Sequence, residues 1–278
     1  MFDRHKNNKL LYYIRNGSTL IVPKSWYRAK LGNKLAAIKA YDRNYIRFRV
    51  NYYNKLSGKH QTGPKAEPLA TLRLGKKETT YFFDSHAYAR YFDEGLKAHF
   101  LFGDITYVPD EPSILKSRPV APGNANAVLL NLNKIRHFIF TKDTTLFSAK
   151  KDRLVWRGNV YQDHRVRFMQ LYFNHPLCNI GQVNTDRNPE WIVERMTIGE
   201  QLDYKFILCI EGNDVASNLK WVMSSQSVAV MPKPRYETWF MEGTLVPDVH
   251  YICIKDDFSD LEERLNYFID HPEKALEI

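Results

Sequence analysis

The sequence predicts an α/β protein with a parallel, doubly wound sheet in its second half. From residue 153 onward, short apolar runs alternate with stretches of helical period. The apolar runs are residues 154–156, 178–183, 206–210, 227–231 and 250–254, and the helical stretches are residues 163–174, 190–202 and 260–269. Strands that alternate with helices of this length favour a parallel sheet with helices on its faces. In such sheets, ligands bind at the carboxyl ends of the strands.

The turn Glu211-Gly212-Asn213-Asp214 follows the apolar run 206–210 and leads into a segment of helical period. Gly212 frees the backbone, and Asn213 or Asp214 is suited to cap the helix that follows. The first N–H groups of that helix would face a ligand at the strand end, an arrangement that binds phosphate in many folds. The turn is therefore predicted to bind a phosphate group.

The first half of the chain has a less regular pattern and predicts a separate domain. Helices are expected at residues 9–15, 24–41 and 84–99, and strands at residues 80–83, 100–102 and 127–132. Residues 108–126 carry four prolines and form a loop longer than ordinary connections, which indicates a function or a boundary. We place the domain junction near residues 143–152, which gives domains of residues 1–147 and 148–278.

The charge of the chain predicts an anionic partner. The net charge is +9, and basic residues are concentrated at the start of the chain. They are Arg4, His5, Lys6, Lys9, Arg15, Lys24, Arg28, Lys30, Lys34 and Lys39. Two interpretations stay open, a solvated helix face and a surface that docks on an anionic membrane or acceptor. Aromatic residues accompany these cations, as they do in nucleic-acid binders, but no recognised nucleic-acid motif is present.

The cysteines and the hydropathy pattern predict a cytoplasmic protein that contacts the inner face of the membrane peripherally. Cys178, Cys209 and Cys253 each lie in an apolar run without metal-ligand spacing, so they are expected to be reduced core residues. The first residues lack an uninterrupted apolar stretch, and no later segment approaches the length of a membrane span.

Several well-known site motifs are absent from the sequence. It contains no GxGxxG, GxxxxGK[ST], HExxH, GxSxG or CxxC pattern, and no D-x-D triplet that could hold a metal-bound nucleotide diphosphate. Any phosphate chemistry is therefore expected to use side-chain cations and helix N-termini, without a metal ion or another cofactor.

Several unusual short sequence motifs follow one another along the chain. They are VPDEPSILKSRP, LVWRGN, EGNDVASNLKW, MPKPRYETWFMEG, VPDVHY and DDFSDLEE. This ordered set resembles glycosyltransferase family 90, the lipopolysaccharide-A and capsule-associated type, whose animal relatives are the Rumi protein O-glucosyltransferases. The resemblance covers residues 84–278. Several motifs in the same order identify a family more specifically than any single motif does.

The resemblance implies a GT-B-like fold, with two Rossmann-like domains that face a central cleft. It further implies inverting, metal-independent transfer of a sugar from a nucleotide diphosphate donor, with a UDP-hexose expected. Residues 1–147 would form the acceptor side, with a helical N-terminus, and residues 148–278 would bind the nucleotide sugar. Family members usually extend beyond the point at which this sequence stops, so a C-terminal helix is expected to be missing.

Inverting transfer needs a carboxylate that takes a proton from the acceptor hydroxyl, and Asp104 is the predicted base. An apolar run that ends in Gly103-Asp104 puts this carboxylate at the end of a strand. By resemblance, Asp104 lies where animal relatives carry an Asp shortly after a strand. Asp110 is the alternative base, and a turn-capping role for Asp104 also stays open.

The departing diphosphate needs cations, and three are predicted to supply them. Arg157 follows a short apolar strand, Gly158 beside it would let a ligand approach the backbone, and the resemblance makes Arg157 a donor-phosphate contact. Lys116 and Arg118 alternate, so in an extended segment they point to the same side and could contact the donor diphosphate or an anionic acceptor. The alternatives are a structural salt bridge for Arg157 and a solvated basic loop for the other two.

The remaining donor-binding candidates lie around the turn and in the segment ETWFMEG. Gly212, Asn213 and Asp214 form the turn, with Asp214 as a helix cap or a contact to sugar hydroxyls. Three further residues are expected in the first turns of the following helix. The resemblance implies that one or the other of two carboxylates contacts ribose or sugar hydroxyls, and the alternative is a carboxylate that only interacts with the dipole at a helix N-terminus. The helix residues are Ser217, Asn218 and Lys220, and the carboxylates are Glu237 and Glu242. Animal relatives carry an Arg close to Asn218, so this sequence departs from the family there.

The sequence thus predicts a hexosyltransferase that modifies a lipopolysaccharide or lipooligosaccharide core or a similar lipid-linked glycan. Two rival interpretations remain. The first is a catalytically degenerate protein that binds a nucleotide sugar without transferring it, and the second is a basic nucleic-acid-binding protein.

Overall fold

The computed structural model describes residues 5–58, 62–75 and 78–278 of the chain. Arg4, one of the basic residues named above, lies outside them. The described chain divides into two compact units. The N-terminal unit contains Asn7–Arg136 and Arg235–Met241, and the C-terminal unit contains His137–Pro234, Glu242–Ile278 and residues 5–6.

Four α-helices open the described chain, and strands and helices alternate regularly only between residues 151 and 231. The α-helices are α1 (Lys9–Ser18), α2 (Lys24–Ala29), α3 (Leu31–Ala36), α4 (Arg43–Tyr53), α5 (Thr79–Ala89), α6 (Lys134–His137), α7 (Asp163–Tyr172), α8 (Ile198–Gln201), α9 (Leu219–Val222), α10 (Leu261–Asp270) and α11 (Pro272–Glu277). The strands are β1 (Glu67–Pro68), β2 (Lys97–Ala98), β3 (Phe100–Leu101), β4 (Ser113–Leu115), β5 (Ser117–Pro119), β6 (Ala127–Leu129), β7 (Lys151–Gly158), β8 (Cys178–Gln182), β9 (Tyr204–Leu208), β10 (Val228–Met231), β11 (Tyr236–Thr238) and β12 (Ile252–Cys253).

The C-terminal unit is built on a five-stranded sheet in the order β12-β10-β9-β7-β8, and every neighbouring pair is parallel. Counted in chain order within this sheet, the strands read 5-4-3-1-2, one of the two common orders of doubly wound sheets. Strand β9 is buried along its whole length, as expected for a strand covered on both faces. The predicted α/β fold with parallel sheets is confirmed.

The N-terminal unit contains a smaller parallel sheet, β3-β4-β6, and two antiparallel strand pairs, β1-β2 and β5-β11. Leu115 and Leu129 are paired partners on β4 and β6, and both are buried. Tyr53 and Met241 complete this core, and the Tyr53 ring stacks on Trp239 with centroids 3.7 Å apart. A stacked aromatic pair of this kind adds to the free energy gained by burial alone.

The predicted strand at residues 80–83 is wrong, because these residues lie in helix α5. Thr, Tyr and Phe favour strands locally, but residues 81–86 are buried in succession, which requires contacts on every side of the helix. Tertiary packing therefore outweighs local propensity here. The predicted helix at residues 84–99 ends at Ala89, before β2 and β3.

The predicted helix at residues 190–202 is also wrong over most of its length. Ile192 pairs with Gln182 in an isolated parallel bridge, so this part of the segment is extended. Helix α8 begins only at Ile198, because Thr197 and Glu200 form a capping box in which each side chain accepts from the other residue's backbone N–H. The predicted helix at residues 24–41 is divided into α2, α3 and a 3₁₀ turn.

Within the part of the chain that the structure describes, no helix is both long enough and apolar enough to cross a bilayer.

Candidate active site

The order of the five-stranded sheet places its switch point between β7 and β9, since the chain proceeds from this centre toward both edges. Ligands of doubly wound sheets bind outside the carboxyl ends of the two strands at this point. Strand β7 ends at Gly158 and β9 ends at Leu208, so the segments that follow them form the candidate donor site. The turn Glu211 to Asp214, predicted from sequence, is one of these segments.

Arg165 on α7 joins the two segments at the switch point. Its Nη1 donates to the Asn159 carbonyl at 2.8 Å, while Nη2 and Nε donate to the carbonyls of Ile210 at 3.0 Å and Glu211 at 2.8 Å. The guanidinium also lies over the Trp156 ring, 5.2 Å from its centroid. Burial lowers the pKa of Arg165 to about 10, so the side chain stays charged at neutral pH. Arg165 therefore holds the two strand ends at a fixed spacing.

Arg165 and its neighbour His164, whose Nε2 lies 2.8 Å from the Glu211 carbonyl oxygen, were not predicted as site residues from the sequence. A signal existed, because both residues fall in the first turn of the helix that follows LVWRGN. Their shared partner, the Glu211 carbonyl, lies more than forty positions away in the chain, so no local pattern indicated this contact.

The turn itself is closely packed against Arg165. A Cβ at Gly212 would lie 3.3 Å from Arg165 Nη2, so the glycine allows the approach of this side chain. The Gly212 N–H donates to the Asp214 carbonyl at 3.1 Å, and Asn213 Oδ1 accepts from Gln162 Nε2 at 2.8 Å. Asp214 is buried, whereas Asn213 is exposed at the strand end.

The helix predicted after Asp214 is much shorter than expected. Helix α9 contains only Leu219–Val222, and Asn218, not Asn213 or Asp214, occupies its N-cap position. The prediction that Asn213 or Asp214 caps it is therefore wrong. The Asn218 amide donates to the Leu208 carbonyl at 2.8 Å, which ties the segment to the end of β9. Its hydrogen bond goes to a strand and not to the helix start.

Lys220 and Ser217 differ sharply in their surroundings. Lys220 is buried and forms an ion pair with the equally buried Glu242. Ser217 is exposed. The structure therefore brings together two predicted donor-binding residues, Lys220 and Glu242, as partners of each other.

Arg157 lies along β8. Its Nη1 and Nη2 donate to the Asn179 carbonyl and Oδ1, both at 2.8 Å, and Nε donates to the Glu194 carbonyl at 3.1 Å. Burial lowers its pKa from the usual value. These bonds connect β7 and β8 with the segment before α8, so Arg157 has a structural role. Its acceptors are neutral oxygens and not the carboxylate that the alternative, a structural salt bridge, would need.

Gly158 provides space for the Trp156 ring. The two residues are two positions apart on β7 and share one face of the strand. A Cβ at Gly158 would lie closer to the ring carbons of Trp156 than van der Waals contact allows. Since Arg165 lies over the same ring, the absence of a side chain at position 158 indirectly supports the Arg165 contacts.

We expect Gly158→Ala to lower the free energy of unfolding by about 1–3 kcal/mol, because the added methyl group displaces Trp156. Gly32→Ala is the matched control, since a Cβ at Gly32 in α3 meets no atom within 4 Å. Alanine is favoured over glycine in helices, so the control should raise stability by about 0.5–1 kcal/mol. Urea unfolding followed by circular dichroism measures both. Equal stability of the two variants would contradict the steric role of Gly158.

In the N-terminal unit, Asp104 and Lys116 lie beyond the carboxyl ends of the neighbouring parallel strands β3 and β4. Leu101 and Leu115 are paired in register, and the two charged residues follow them closely in the chain. The Lys116 Nζ and Asp104 Oδ1 are 2.6 Å apart. Lys116 is 1% exposed and Asp104 is 27% exposed, so the carboxylate is accessible while its partner is covered. A carboxylate held in this way is fixed in position and accessible to solvent.

Asp110, the alternative base, is exposed in the loop after β3. Its carbonyl accepts from the Asn126 amide at 2.9 Å, and so does the Pro109 carbonyl at 3.1 Å. It does not follow a strand end directly.

Arg118 and Glu237 form a buried ion pair between the paired strands β5 and β11. Arg118 Nε donates to Glu237 Oε1 at 2.7 Å, and the side chains are 0% and 2% exposed. Other guanidinium nitrogens donate to the carbonyls of Tyr52, Tyr53 and Ala127, and the Tyr52 hydroxyl donates to Glu237. The two candidates therefore serve the packing of the N-terminal unit.

The solvated-loop alternative for Lys116 and Arg118 is wrong, because both side chains are buried.

Comparison with known proteins decides the family. The model of the family described as "Glycosyl transferase family 90" matches residues 126–278, more than half of the chain. The chain belongs to glycosyl transferase family 90. It is a glycosyltransferase, and the resemblance drawn from the ordered motifs is confirmed.

Relatives of this family 90 chain occur in bacteria, viruses and animals. O-glucosyltransferase LpsA of Dichelobacter nodosus is 40% identical over 272 residues, which cover 96% of this chain and 85% of that protein. Uncharacterized protein 179R of Invertebrate iridescent virus 6 is 33% identical over 93 residues, 31% of this chain and 8% of that protein. Protein O-glucosyltransferase 2 of Danio rerio is 30% identical over 140 residues, 48% of this chain and 28% of that protein.

Proposed function

We propose that this glycosyltransferase moves a hexose from a nucleotide diphosphate, with UDP as the expected nucleotide, to a glycan acceptor. The observation that carries the proposal is the switch point of the five-stranded parallel sheet, where Arg165 joins the segments after β7 and β9. This is where doubly wound sheets bind nucleotide ligands. The name of the Dichelobacter nodosus relative, an O-glucosyltransferase, supports glucose as the sugar.

In this proposal the donor lies against the exposed side of the turn, with Gly212, Asn213 and Ser217 as direct contacts. Arg157, Asn218 and Lys220 act as positioning residues, since each bonds to a strand or to a buried carboxylate. Arg165 supplies positive charge beneath the turn. The departing diphosphate is then stabilised by cations and backbone dipoles of the protein, so transfer proceeds without a metal ion.

We further propose that Asp104 is the general base, which takes the acceptor proton and leads to inversion at the sugar carbon. Its accessible carboxylate, fixed by the buried Lys116, supports this role. The N-terminal unit then serves the acceptor and the C-terminal unit the donor, which is the division of labour in the GT-B fold that the family resemblance implies.

For the acceptor we propose a lipopolysaccharide or lipooligosaccharide core or a similar lipid-linked glycan, on the cytoplasmic side of the membrane. The state of the cysteines supports a reducing compartment. Cys178, Cys209 and Cys253 are free thiols, and burial raises the pKa of Cys178 to about 12.

A transfer assay with radiolabelled UDP-glucose and truncated core oligosaccharides tests the activity. Donor binding without transfer to any core acceptor would contradict it.

The donor site is tested by Arg165→Met, with Arg167→Met as the matched control. Arg165 makes three hydrogen bonds from a half-buried position, whereas Arg167 is exposed on the same helix. We expect Arg165→Met to raise the Kd for UDP at least about tenfold, a loss of about 1.4 kcal/mol, because the turn loses its support. The stability of the variant should fall by about 1–3 kcal/mol.

Calorimetric titration with UDP measures the affinity, at a temperature where each variant is folded. The Arg167 variant should bind as the unmodified chain does. A destabilised Arg165 variant with unchanged UDP affinity would show that the nucleotide binds elsewhere.

A further inference from the structure

Large apolar side chains are unusually exposed in the first fifty residues. Among the residues that the structure describes, about half of the exposed large hydrophobic side chains lie between positions 10 and 50. Helices α1 to α4 bury only Tyr27 and Tyr53. Exposed apolar side chains in such density mark a surface that binds a partner.

Helix α1 shows the clearest division into two faces. One face packs on α5, where the Tyr12 hydroxyl donates to Asp84 Oδ1 at 2.9 Å and the Tyr13 ring lies 6.1 Å from that of Phe83. Leu10 and Ile14, one turn apart, and the adjacent Leu11 lie on the side away from Tyr12. Their exposed fractions are 70%, 60% and 62%.

This apolar face continues past the end of α1. The N–H groups of Leu20 and Ile21 donate to the carbonyls of Gly17 and Ser18, so the chain keeps turning after the helix ends. Ile21, seven positions after Ile14, is 85% exposed. Leu10, Leu11, Ile14 and Ile21 are called the aliphatic stripe below.

The charge around the aliphatic stripe has one sign. From residue 5 to residue 41 the sequence contains eight Lys and Arg residues and no Asp or Glu. Lys9 and Arg15 are exposed on α1 and flank the stripe. Lys24 and Arg28 on α2 face Glu94 of the same unit, at 2.6 and 3.7 Å, which partly compensates their charge.

An aromatic side chain suited to a membrane interface follows the stripe. Trp26 on α2 is half exposed, and Lys30 Nζ lies over its ring, 3.3 Å from the centroid. Tryptophan is enriched at the level of lipid headgroups, where its ring contacts both apolar and polar groups.

We propose that the aliphatic stripe and its flanking cations dock on the surface of an anionic lipid bilayer. Helix α1 lies in the plane of the interface, with Leu10, Leu11, Ile14 and Ile21 among the upper acyl carbons and with Lys9 and Arg15 at the anionic headgroups. Long basic side chains suit this position, because their aliphatic stems cover apolar surface while the charged ends reach the headgroups. The docking surface is independent of the reaction proposed above.

The aliphatic residues decide between lipid and nucleic acid as the partner. A nucleic acid would use the cations and the aromatic rings, but it gains nothing from four exposed Leu and Ile side chains. A bilayer uses the cations and the aliphatic groups together. Lipid therefore accounts for the aliphatic stripe and its flanking cations together.

The test is co-sedimentation of the full chain with vesicles of phosphatidylcholine alone and with phosphatidylglycerol added. We expect strong binding only to the anionic vesicles, weakened by salt. The variant Leu10→Ser/Ile14→Ser/Ile21→Ser should lower the partition coefficient at least about tenfold, because three apolar side chains leave the interface. Its control, Leu171→Ser/Val249→Ser/Leu276→Ser, changes three comparably exposed residues of the C-terminal unit and should bind within about twofold of the unmodified chain.

The charge is tested by Lys9→Glu/Arg15→Glu against Lys142→Glu/Lys255→Glu, exposed lysines of the C-terminal unit. Both pairs change the net charge equally, so a larger loss of binding in the first pair assigns the effect to the α1 surface. All substituted residues are exposed, and circular dichroism verifies that each variant is folded. If the serine variant misfolds, the comparison of the two charge-reversal variants still decides the proposal.

Three results would overturn the proposal: no binding of the unmodified chain to anionic vesicles, equal binding by the stripe and control variants, or equal loss in both charge pairs. Binding of a single-stranded oligonucleotide that the Lys9/Arg15 pair abolishes, with vesicle binding intact, would instead assign the surface to nucleic acid.

Discussion

Asp104→Asn should lower the turnover of sugar transfer by a factor of about 10²–10⁴, the usual contribution of a general base. Asparagine keeps the size and polarity of the side chain, but its amide cannot accept the acceptor proton. The partner Lys116 is 1% exposed, so the substitution also removes the carboxylate from a covered ammonium group, and circular dichroism verifies that the variant is folded. Affinity for UDP should be unchanged, because the carboxylate acts on the acceptor hydroxyl. Initial rates of transfer and calorimetric titration with UDP measure the two effects.

Asp110→Asn is the matched control for this experiment. The residue is exposed in the loop after β3, six positions from Asp104, and the same substitution there should leave turnover within about twofold of the unmodified enzyme. The reverse result, a large loss at Asp110 and normal turnover at Asp104, would transfer the role of base to Asp110. A loss of UDP affinity in the Asp104 variant would show that this carboxylate supports the donor instead.

Arg118→Met should lower the free energy of unfolding by about 3–5 kcal/mol, the usual cost of removing one partner of a buried ion pair. The substitution leaves Glu237 charged, 2% exposed and without its guanidinium partner. It also leaves the carbonyls of Tyr52 and Ala127 without their guanidinium donors. Urea unfolding monitored by circular dichroism measures the loss.

The double variant Arg118→Met/Glu237→Gln isolates the charge. The glutamine amide is neutral, and its oxygen could still accept from the Tyr52 hydroxyl, so the double variant should recover at least about 1 kcal/mol relative to Arg118→Met alone. The same pair of variants tests the sequence-based prediction that Arg118 contacts the donor. A stable Arg118→Met protein with weakened UDP binding would favour the donor contact over the structural role.

The regular second half of the chain was predictable because its strands and helices are encoded locally. Apolar runs at residues 154–156, 206–210 and 227–231 correspond to β7, β9 and β10. A strand in the centre of a parallel sheet is buried on both faces, so it is apolar along its length and easy to recognise. The turn after β9 was located correctly for the same reason.

Predictions failed where packing or a local cap outweighed a residue preference. Residues 80–83 have strand-forming side chains but lie in α5, since the surrounding core covers the helix on all sides. The capping box at Thr197 and Glu200 starts α8 well inside the segment predicted as one helix. Helix α9 begins at Leu219 because Asn218 bonds to the end of β9, so the polar turn at residues 211–214 is not its N-terminus.

The partners of the charged side chains could not be predicted at all. Arg118 and Glu237 are 119 positions apart, and Lys220 and Glu242 are separated by the two strands β10 and β11. The sequence identified these four residues as cations and carboxylates of a site, but it contained no indication that they pair with each other. Ion pairs between distant segments depend on which strands become neighbours, and hydrophobic periodicity does not encode that choice.

By itself, the sequence determined that this protein is an α/β glycosyltransferase of family 90, because ordered motifs and the alternation of strands with helices are local properties. It also located Asp104 and the turn at Gly212 at strand ends. Only the tertiary structure decided which groups touch. Lys116 lies beside Asp104, Arg165 bonds to the segments after β7 and β9, and the Trp156 ring lies over Gly158. These contacts join segments or faces whose approach depends on the packing of the folded chain.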